Sequence, residues 1–233
     1  MSKISQALNR TGITIDSRSQ SGASGSDGIS GAFPDPAILK LYYTVDALKA
    51  QRSSLAVQFI AATPGEGTTT IATGFATVAA NESKQNVLLI NCAPSSAAGA
   101  ARVSLCAAFK QGQPLEQSMV ESKTFPNLHL AQLSDTANPL IEIGSEAFND
   151  LIAALRKDFV TIVLDCPAAA VSPDSTAISR YCDGTVLVIR AEYVRPAVVR
   201  SVQDNIGLVG GQIIGVAFNR RRMYIPEWMY QWL

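Results

Sequence analysis

The stretch "ATPGEGTTTIA", residues 62–72, is the part of this chain that most clearly indicates its fold. It follows the apolar run "LAVQFIAA" at 55–62 and opens a segment with a helix-like apolar face. A strand, a glycine-rich turn and a helix in this order are the context of a phosphate-binding loop, whose usual pattern is Gly-x4-Gly-Lys-[Ser/Thr]. Ala62 and Gly67 occupy the two small positions, and Thr68 stands where the lysine is expected. The stretch therefore predicts a phosphate loop that lacks its lysine.

Apolar runs alternate with helical patterns along the rest of the chain. The predicted strands are 55–62, 86–91, 128–133, 159–165, 184–191 and 211–219, and the predicted helices include 147–158, 175–182 and 196–210. This alternation is typical of an α/β fold of the Rossmann-like P-loop type, with a mostly parallel sheet and helices on both faces. In such a sheet, ligands bind at the carboxyl ends of the strands.

The composition excludes several classes of protein. The chain has 233 residues, of which 47% are hydrophobic and 16% charged, and its formal net charge is +0. A neutral chain argues against a general nucleic-acid binder. No apolar run reaches the roughly 18 residues of a membrane span, and the first ten residues lack the apolar core of a secretory signal, so we expect a cytoplasmic protein. The four cysteines form no C-x-x-C pair and His129 is the one histidine, which argues against a zinc site or a histidine-based hydrolase.

Four segments follow from these patterns. Residues 1–10 predict a short helix, residues 11–36 a flexible Ser/Gly-rich linker, residues 37–224 the P-loop domain and residues 225–233 an amphipathic tail. The N-terminal helix is either a tethered docking element or a frayed terminus.

The chemistry of the loop follows from its residue types. Gly65 and Gly67 let backbone N–H groups turn inward, and the helix that begins near Thr69 adds its positive dipole end. Thr69 stands where a Mg²⁺-binding hydroxyl belongs, and Thr70 is placed to touch another phosphate. A threonine at position 68 cannot replace the charge of the lysine. A charge-assisted hydrogen bond contributes about 1.5–3 kcal/mol, which is roughly ten- to a hundredfold in affinity.

Residues 37–226 resemble the bacterial tyrosine kinases of polysaccharide synthesis, a P-loop group related to the MinD/ParA ATPases. The family's loop reads P-G-E-G-K-[ST]-T, and this chain has "PGEGTTT" at 64–70. Further matching segments are "ANPLIEIGSEAFNDLIAALRKDF" (137–159), "DGTVLVIRA" (183–191) and "IIGVAFNRRRMYIP" (213–226). The resemblance implies a P-loop domain, a role in exopolysaccharide assembly, and a nucleotide base near Asn219 and Arg220.

The departures from the family pattern fall on residues that carry its chemistry. The second motif, Asp-x-Asp, is replaced by Asn91 and Ala93, and the third, Asp-Thr-Pro-Pro, keeps Asp165 but not the second proline. An asparagine cannot act as a general base. Thr69 and Asp165 alone form a poor magnesium site without phosphate oxygens. The resemblance therefore predicts a degenerate member, in which positions 68, 91 and 93 leave no catalytic set intact.

No cofactor is firmly predicted, and weak binding of ATP or ADP with Mg²⁺ stays open. The residues predicted to contact such a nucleotide are Gly65, Glu66, Gly67, Thr68, Thr69, Thr70, Asn219 and Arg220.

The tail shows one apolar face at helical spacing. Its members are Ile225, Trp228, Met229, Trp232 and Leu233. Nine residues cannot hold a helix alone in water, so this face packs on its own domain, docks on a partner or lies on a membrane surface. Tyr224 and Tyr230 are the tail's tyrosines, placed either for burial or for phosphorylation by another kinase.

These observations predict a pseudokinase that serves as the cytoplasmic partner of an inner-membrane polysaccharide co-polymerase of the Wzz type and does not bind nucleic acid. One alternative is an active tyrosine kinase or ATPase in which Glu66 and Arg220 replace the lost charges. Another is a MinD-like membrane-associated protein that uses the tail. Segment 37–52 lacks the Glu-x-x-Arg-x-x-Arg pattern through which family members form rings, so the formation of a homo-oligomer stays open.

Overall fold

The computed structural model describes residues 13–17, 35–49, 52–94, 103–191 and 193–219, with the backbone alone for the first range. The predictions for the 1–10 helix, for Arg220 and for residues 224–233 lie outside the described residues.

One sheet organises the described part of the chain. Its strands stand in the order β1-β8-β7-β2-β6-β3-β5-β4. Every neighbouring pair is parallel except β4 and β5, which are antiparallel. The strands are β1 (Ile13–Ser17), β2 (Leu55–Ala61), β3 (Val87–Asn91), β4 (Met119–Glu121), β5 (Leu128–Gln132), β6 (Thr161–Asp165), β7 (Gly184–Arg190) and β8 (Ile213–Asn219). The prediction of a mostly parallel α/β sheet is confirmed.

Helices cover both faces of this sheet. They are α1 (Pro36–Asp46), α2 (Thr68–Ser83), α3 (Leu105–Lys110), α4 (Pro139–Ile143), α5 (Ser145–Leu155), α6 (Pro173–Ala177) and α7 (Pro196–Leu208). Short 3₁₀ turns lie at Ala47–Lys49, Leu115–Ser118 and Ile178–Tyr181.

The central strand β2 shows why the sheet is covered on both sides. All seven of its residues are buried, and alternate side chains enter different apolar clusters because successive side chains point to opposite faces. Ile60 packs in the cluster that contains Phe148 of α5, whereas Phe59 packs with Phe75 of α2, their ring centroids 5.2 Å apart.

The N-terminal segment differs from its prediction. Residues 13–17, placed in the flexible linker, form β1 and pair in parallel with β8. The five residues "ITIDS" alternate β-branched Ile and Thr, which suits a strand, but the Ser- and Gly-rich composition around them concealed this signal. The linker prediction was therefore wrong for these five residues.

A cluster of charged side chains stabilises the end of the sheet where β2 and β7 begin. Asp183, next to the start of β7, accepts hydrogen bonds from Arg52 at 2.6 Å and from Arg156 at 2.7 Å. The backbone N–H of Ala56 in β2 donates to the same carboxylate at 2.7 Å. The phosphate loop lies at the opposite end of the sheet, where it follows the carboxyl end of β2.

Candidate phosphate-loop site

The phosphate loop lies between β2 and α2, beside a cavity of about 240 Å³. Gly65 has φ 82° and Gly67 has φ 95°, left-handed values that glycine adopts without the Cβ penalty of other residues. The cavity is lined by Thr63, Pro64, Gly65, Gly67, Thr68 and Thr69 from the loop and by Cys166, Pro167 and Ala168 after β6. The structure therefore brings four of the predicted loop residues to one cavity and leaves Glu66 and Thr70 out of its lining.

Glu66 points into the protein and supports the loop. Its side chain is fully buried. One carboxylate oxygen accepts from the backbone N–H of Thr63 at 2.6 Å and from its hydroxyl at 3.0 Å, and the other accepts from the backbone N–H of Arg190 at 3.0 Å. Both carboxylate oxygens of Glu66 therefore accept hydrogen bonds from other residues of the protein. The expectation that Glu66 contacts a nucleotide or replaces a lost charge disagrees with this geometry.

Asn219, the last residue of β8, holds the loop from the other side. Its amide Nδ2 donates to the backbone oxygen of Glu66 at 2.8 Å. A Cβ on Gly67 would lie only 1.9 Å from that nitrogen, so this close approach requires glycine as strictly as the positive φ does. The family resemblance placed Asn219 near a base, and the structure shows its side chain against the loop.

Asp165 and Thr69 meet beside the cavity. Asp165 ends β6 with only 8% of its surface exposed. Burial raises the pKa of this carboxyl from 3.8 to about 6, and a hydrogen bond from the Thr69 hydroxyl opposes the shift. The pair supplies two oxygen donors, far from the near-octahedral set that Mg²⁺ requires. Within the described residues, no group of three or more His, Cys, Asp or Glu side chains is arranged to hold a metal ion. A bound Mg²⁺ would thus depend on water and phosphate oxygens for its remaining ligands.

The two substituted positions of the second motif lie next to Asp165. Asn91 ends β3 and pairs in register with Asp165 across the ladder. Its exposed side chain bends back, and Oδ1 accepts from the backbone N–H of Ala93 at 3.0 Å. The amide of Gln132, at the end of β5, donates to the backbone oxygen of Ala93. Asn91 therefore closes a local turn beside Asp165.

No lysine or arginine lines the cavity in the described ranges. Arg190, at the end of β7, touches the loop through its backbone N–H, while its guanidinium lies 4.7 Å from the centroid of the Tyr193 ring. The charge that Thr68 cannot supply is therefore not replaced by a described residue of the cavity wall.

One buried residue behind the cavity was missed as a site residue. Gln58 is fully buried in the middle of β2. Its Nε2 donates to Cys166 Sγ at 3.2 Å and also to the Ser175 backbone oxygen, and Thr185 Oγ1 donates to its Oε1 at 3.1 Å. The one polar residue within the apolar run 55–62 was the available signal.

Tyrosine kinases are found both among the proteins similar to this chain in sequence and among those similar to it in fold. The tyrosine-protein kinase CpsD of Streptococcus pneumoniae is 28% identical over 103 residues, which cover 44% of this chain and 45% of that protein. The VpsO kinase domain superposes with a TM-score of 0.64 at 28% identity, covering 79% of this chain and 96% of that domain. This chain is similar in sequence to tyrosine kinases of bacteria, and its fold resembles that of MinD of Aquifex aeolicus, with a TM-score of 0.54 at 18% identity.

A further structural neighbour supports the fold alone. The chimerical protein CapA2B2 has a TM-score of 0.76 at 17% identity and covers 95% of this chain and 100% of its own. No family model matches, and the sequence match spans about half the length of the CpsD relatives. Among the described residues, no helix combines the length and apolar character needed to cross a membrane.

Proposed function

We propose that this bacterial-tyrosine-kinase-like chain is a pseudokinase that acts as the cytoplasmic partner of a Wzz-type inner-membrane polysaccharide co-polymerase in exopolysaccharide assembly. The observation that carries the proposal is that uncharged residues stand at three positions where the family pattern has charged side chains. The loop keeps its glycine geometry, but Thr68 replaces the cation and Asn91 and Ala93 replace the carboxylates of the second motif. Phosphoryl transfer depends on positioned charge, so this site favours binding over turnover.

A kinase assay on the full-length chain tests the loss of catalysis. With ATP and Mg²⁺ we expect no tyrosine phosphorylation above that of the Asp165→Ala variant, the matched control for background. Clear autophosphorylation that Asp165→Ala abolishes would overturn the proposal.

Introducing the charged residues of the family pattern tests nucleotide affinity and phosphoryl transfer separately. Thr68→Lys returns one charge-assisted contact and is expected to raise ATP affinity roughly ten- to a hundredfold without turnover. Turnover is expected only when Thr68→Lys is combined with Asn91→Asp and Ala93→Asp, because the metal and the nucleophile need the carboxylates. Calorimetry measures the affinity, and release of labelled phosphate measures turnover.

The proposed partner is tested by co-purification with the membrane co-polymerase. The kinase names of the CpsD and VpsO relatives support this part of the proposal. We expect the chain to be retained on membranes that contain the co-polymerase and lost from membranes without it. Equal retention on both, removed by deletion of residues 225–233, would instead support the MinD-like membrane-associated alternative.

The second candidate is an active enzyme with a non-standard site. It is favoured by Asp165, a carboxyl beside Thr69 whose pKa burial raises to about 6, closer to neutral pH than that of an ordinary aspartate. It is opposed by Glu66, whose carboxylate is already bonded within the fold. The kinase assay with its Asp165→Ala control distinguishes the two.

A further inference from the structure

Three cysteine side chains lie close together behind the phosphate-loop cavity. Cys92 and Cys166 are buried members of the same apolar cluster, and electrostatic contact links both with Cys182. Neither the P-loop chemistry nor the proposed function uses these thiols.

Cys92 and Cys166 are neighbours across the β3–β6 ladder. Each follows the last registered pair of these parallel strands, Asn91 and Asp165, and the backbone N–H of Cys92 donates to the Asp165 oxygen at 2.9 Å. Adjacent strands lie about 4.8 Å apart, within the roughly 4.4–6.8 Å Cα separation of disulfides. The Cys92 thiol donates to the Ile90 backbone oxygen at 3.8 Å, and electrostatic contact links it with the Cys166 thiol. No large backbone movement is therefore needed to join them.

The two thiols differ in access and in surroundings. Cys166 forms part of the cavity wall, and the cavity of about 240 Å³ exceeds the space that one water-sized molecule occupies, about 30 Å³. The buried amide of Gln58 donates to Cys166 Sγ at 3.2 Å. Cys92 does not line the cavity, and burial raises the pKa of its thiol well above the ordinary value. Cys166 is thus the thiol that a small oxidant meets first.

We propose that a hydroperoxide entering the cavity oxidises Cys166 and that Cys92 then closes a Cys92–Cys166 disulfide. In the first step the Cys166 sulfur attacks a peroxide oxygen. An S–O bond forms, the O–O bond breaks, and the leaving hydroxide takes the thiol proton as water. In the second step the Cys92 sulfur attacks the sulfenic sulfur of Cys166. The S–S bond forms, the S–O bond breaks, and a second water leaves with the Cys92 proton. Two thiols lose two electrons, and one hydrogen peroxide becomes two waters.

Cys182 is the internal competitor for this reaction. Its Sγ donates to the backbone oxygen of Ile178 at 3.7 Å, and it lies after the 3₁₀ turn Ile178–Tyr181, outside the β3–β6 ladder. The ladder therefore favours Cys92 as the partner of Cys166.

Peptide mapping of the full-length protein tests the proposal. The native protein is treated with hydrogen peroxide, alkylated and digested with trypsin without reduction. Arginines and lysines between the cysteines place each one in its own tryptic peptide. We expect one dominant linked pair, containing Cys92 and Cys166, that dithiothreitol separates. A dominant link to Cys182, links between chains alone, or free Cys92 and Cys166 after peroxide treatment would each overturn the proposal.

Matched variants assign the two steps. Cys106→Ser changes another buried cysteine and is expected to retain the link. Cys92→Ser is expected to lose the link and to leave a sulfenic acid on Cys166 that dimedone labels, whereas Cys166→Ser is expected to lose both the link and the label. Labelling of Cys92 in the Cys166→Ser variant would reverse the assigned order and refute the mechanism. The wild-type mapping requires no variant, and the result does not depend on whether the chain is a pseudokinase.

Discussion

The buried carboxylate of Glu66 gives the sharpest test of how the phosphate loop is held. Glu66→Ala removes the acceptor of two backbone N–H groups, those of Thr63 and Arg190, and of the Thr63 hydroxyl. A buried donor without a partner costs about 1–3 kcal/mol. Thr63 is only half-buried at the cavity wall, so water compensates part of its loss. We therefore expect the free energy of unfolding to fall by about 3 kcal/mol, using the lower half of that range.

Urea denaturation followed by far-UV circular dichroism measures this loss. In a chain of this size 1 kcal/mol corresponds to about 2–4 °C in Tm, so a thermal scan should show a decrease of about 6–12 °C. The matched control is Glu116→Ala, at an exposed glutamate, with an expected change within about 0.5 kcal/mol. Glu66→Gln should fall between the two, because its amide keeps one acceptor oxygen. A Glu66→Ala protein as stable as the control would refute the role of Glu66 in supporting the loop.

Three further predictions concern single residues. Gly65→Ala and Gly67→Ala should each lower the free energy of unfolding by about 1–2 kcal/mol, because alanine is strained in the left-handed backbone. The loss should be larger for Gly67→Ala, because its Cβ would lie 1.9 Å from Asn219 Nδ2. Thermal unfolding of the two variants measures the difference. Asp165 has its folded pKa raised from 3.8 to about 6, so its contribution to stability is present below pH 4 and lost as pH rises to about 6. The stability of the wild type relative to Asp165→Asn should fall over that window by on the order of 3 kcal/mol, measured by urea denaturation at several pH values. Asp183→Ala should cost about 3 kcal/mol in the same assay, because its partly buried carboxylate joins two arginines and a backbone N–H.

The sequence predicted the sheet well because its central strands are continuous apolar runs. Strand β2, predicted at 55–62, is Leu55–Ala61 in the structure, and β7, predicted at 184–191, is Gly184–Arg190. The short edge strands β1 and β4 were missed. Strand β4 has only three residues, and β1 lies in a Ser- and Gly-rich part of the sequence, so neither produces a long periodic signal.

The candidate site was predictable in its position but not in the direction of its side chains. Thr69 and Asp165 were expected together, and the structure joins them by a hydrogen bond. Glu66 was expected to face a ligand because it lies between two glycines of the loop. Left-handed turns at both glycines set its direction, and such turns have no periodicity by which a sequence reveals the inner face. Its partners at the ends of β7 and β8 are more than 120 residues away in sequence.

The contacts of Glu66 and Asn219 explain how the loop holds its shape with a threonine at position 68. In a working phosphate site, lysine and metal act on the ligand, whereas here the loop is fixed by a carboxylate and an amide that face the protein. None of these supporting bonds involves Thr68, Asn91 or Ala93. Positions 68, 91 and 93 can therefore differ from the family pattern without loss of a bond that shapes the loop. The same separation makes the restoration experiment informative, because Thr68→Lys, Asn91→Asp and Ala93→Asp add charge to a loop whose backbone is already held in place.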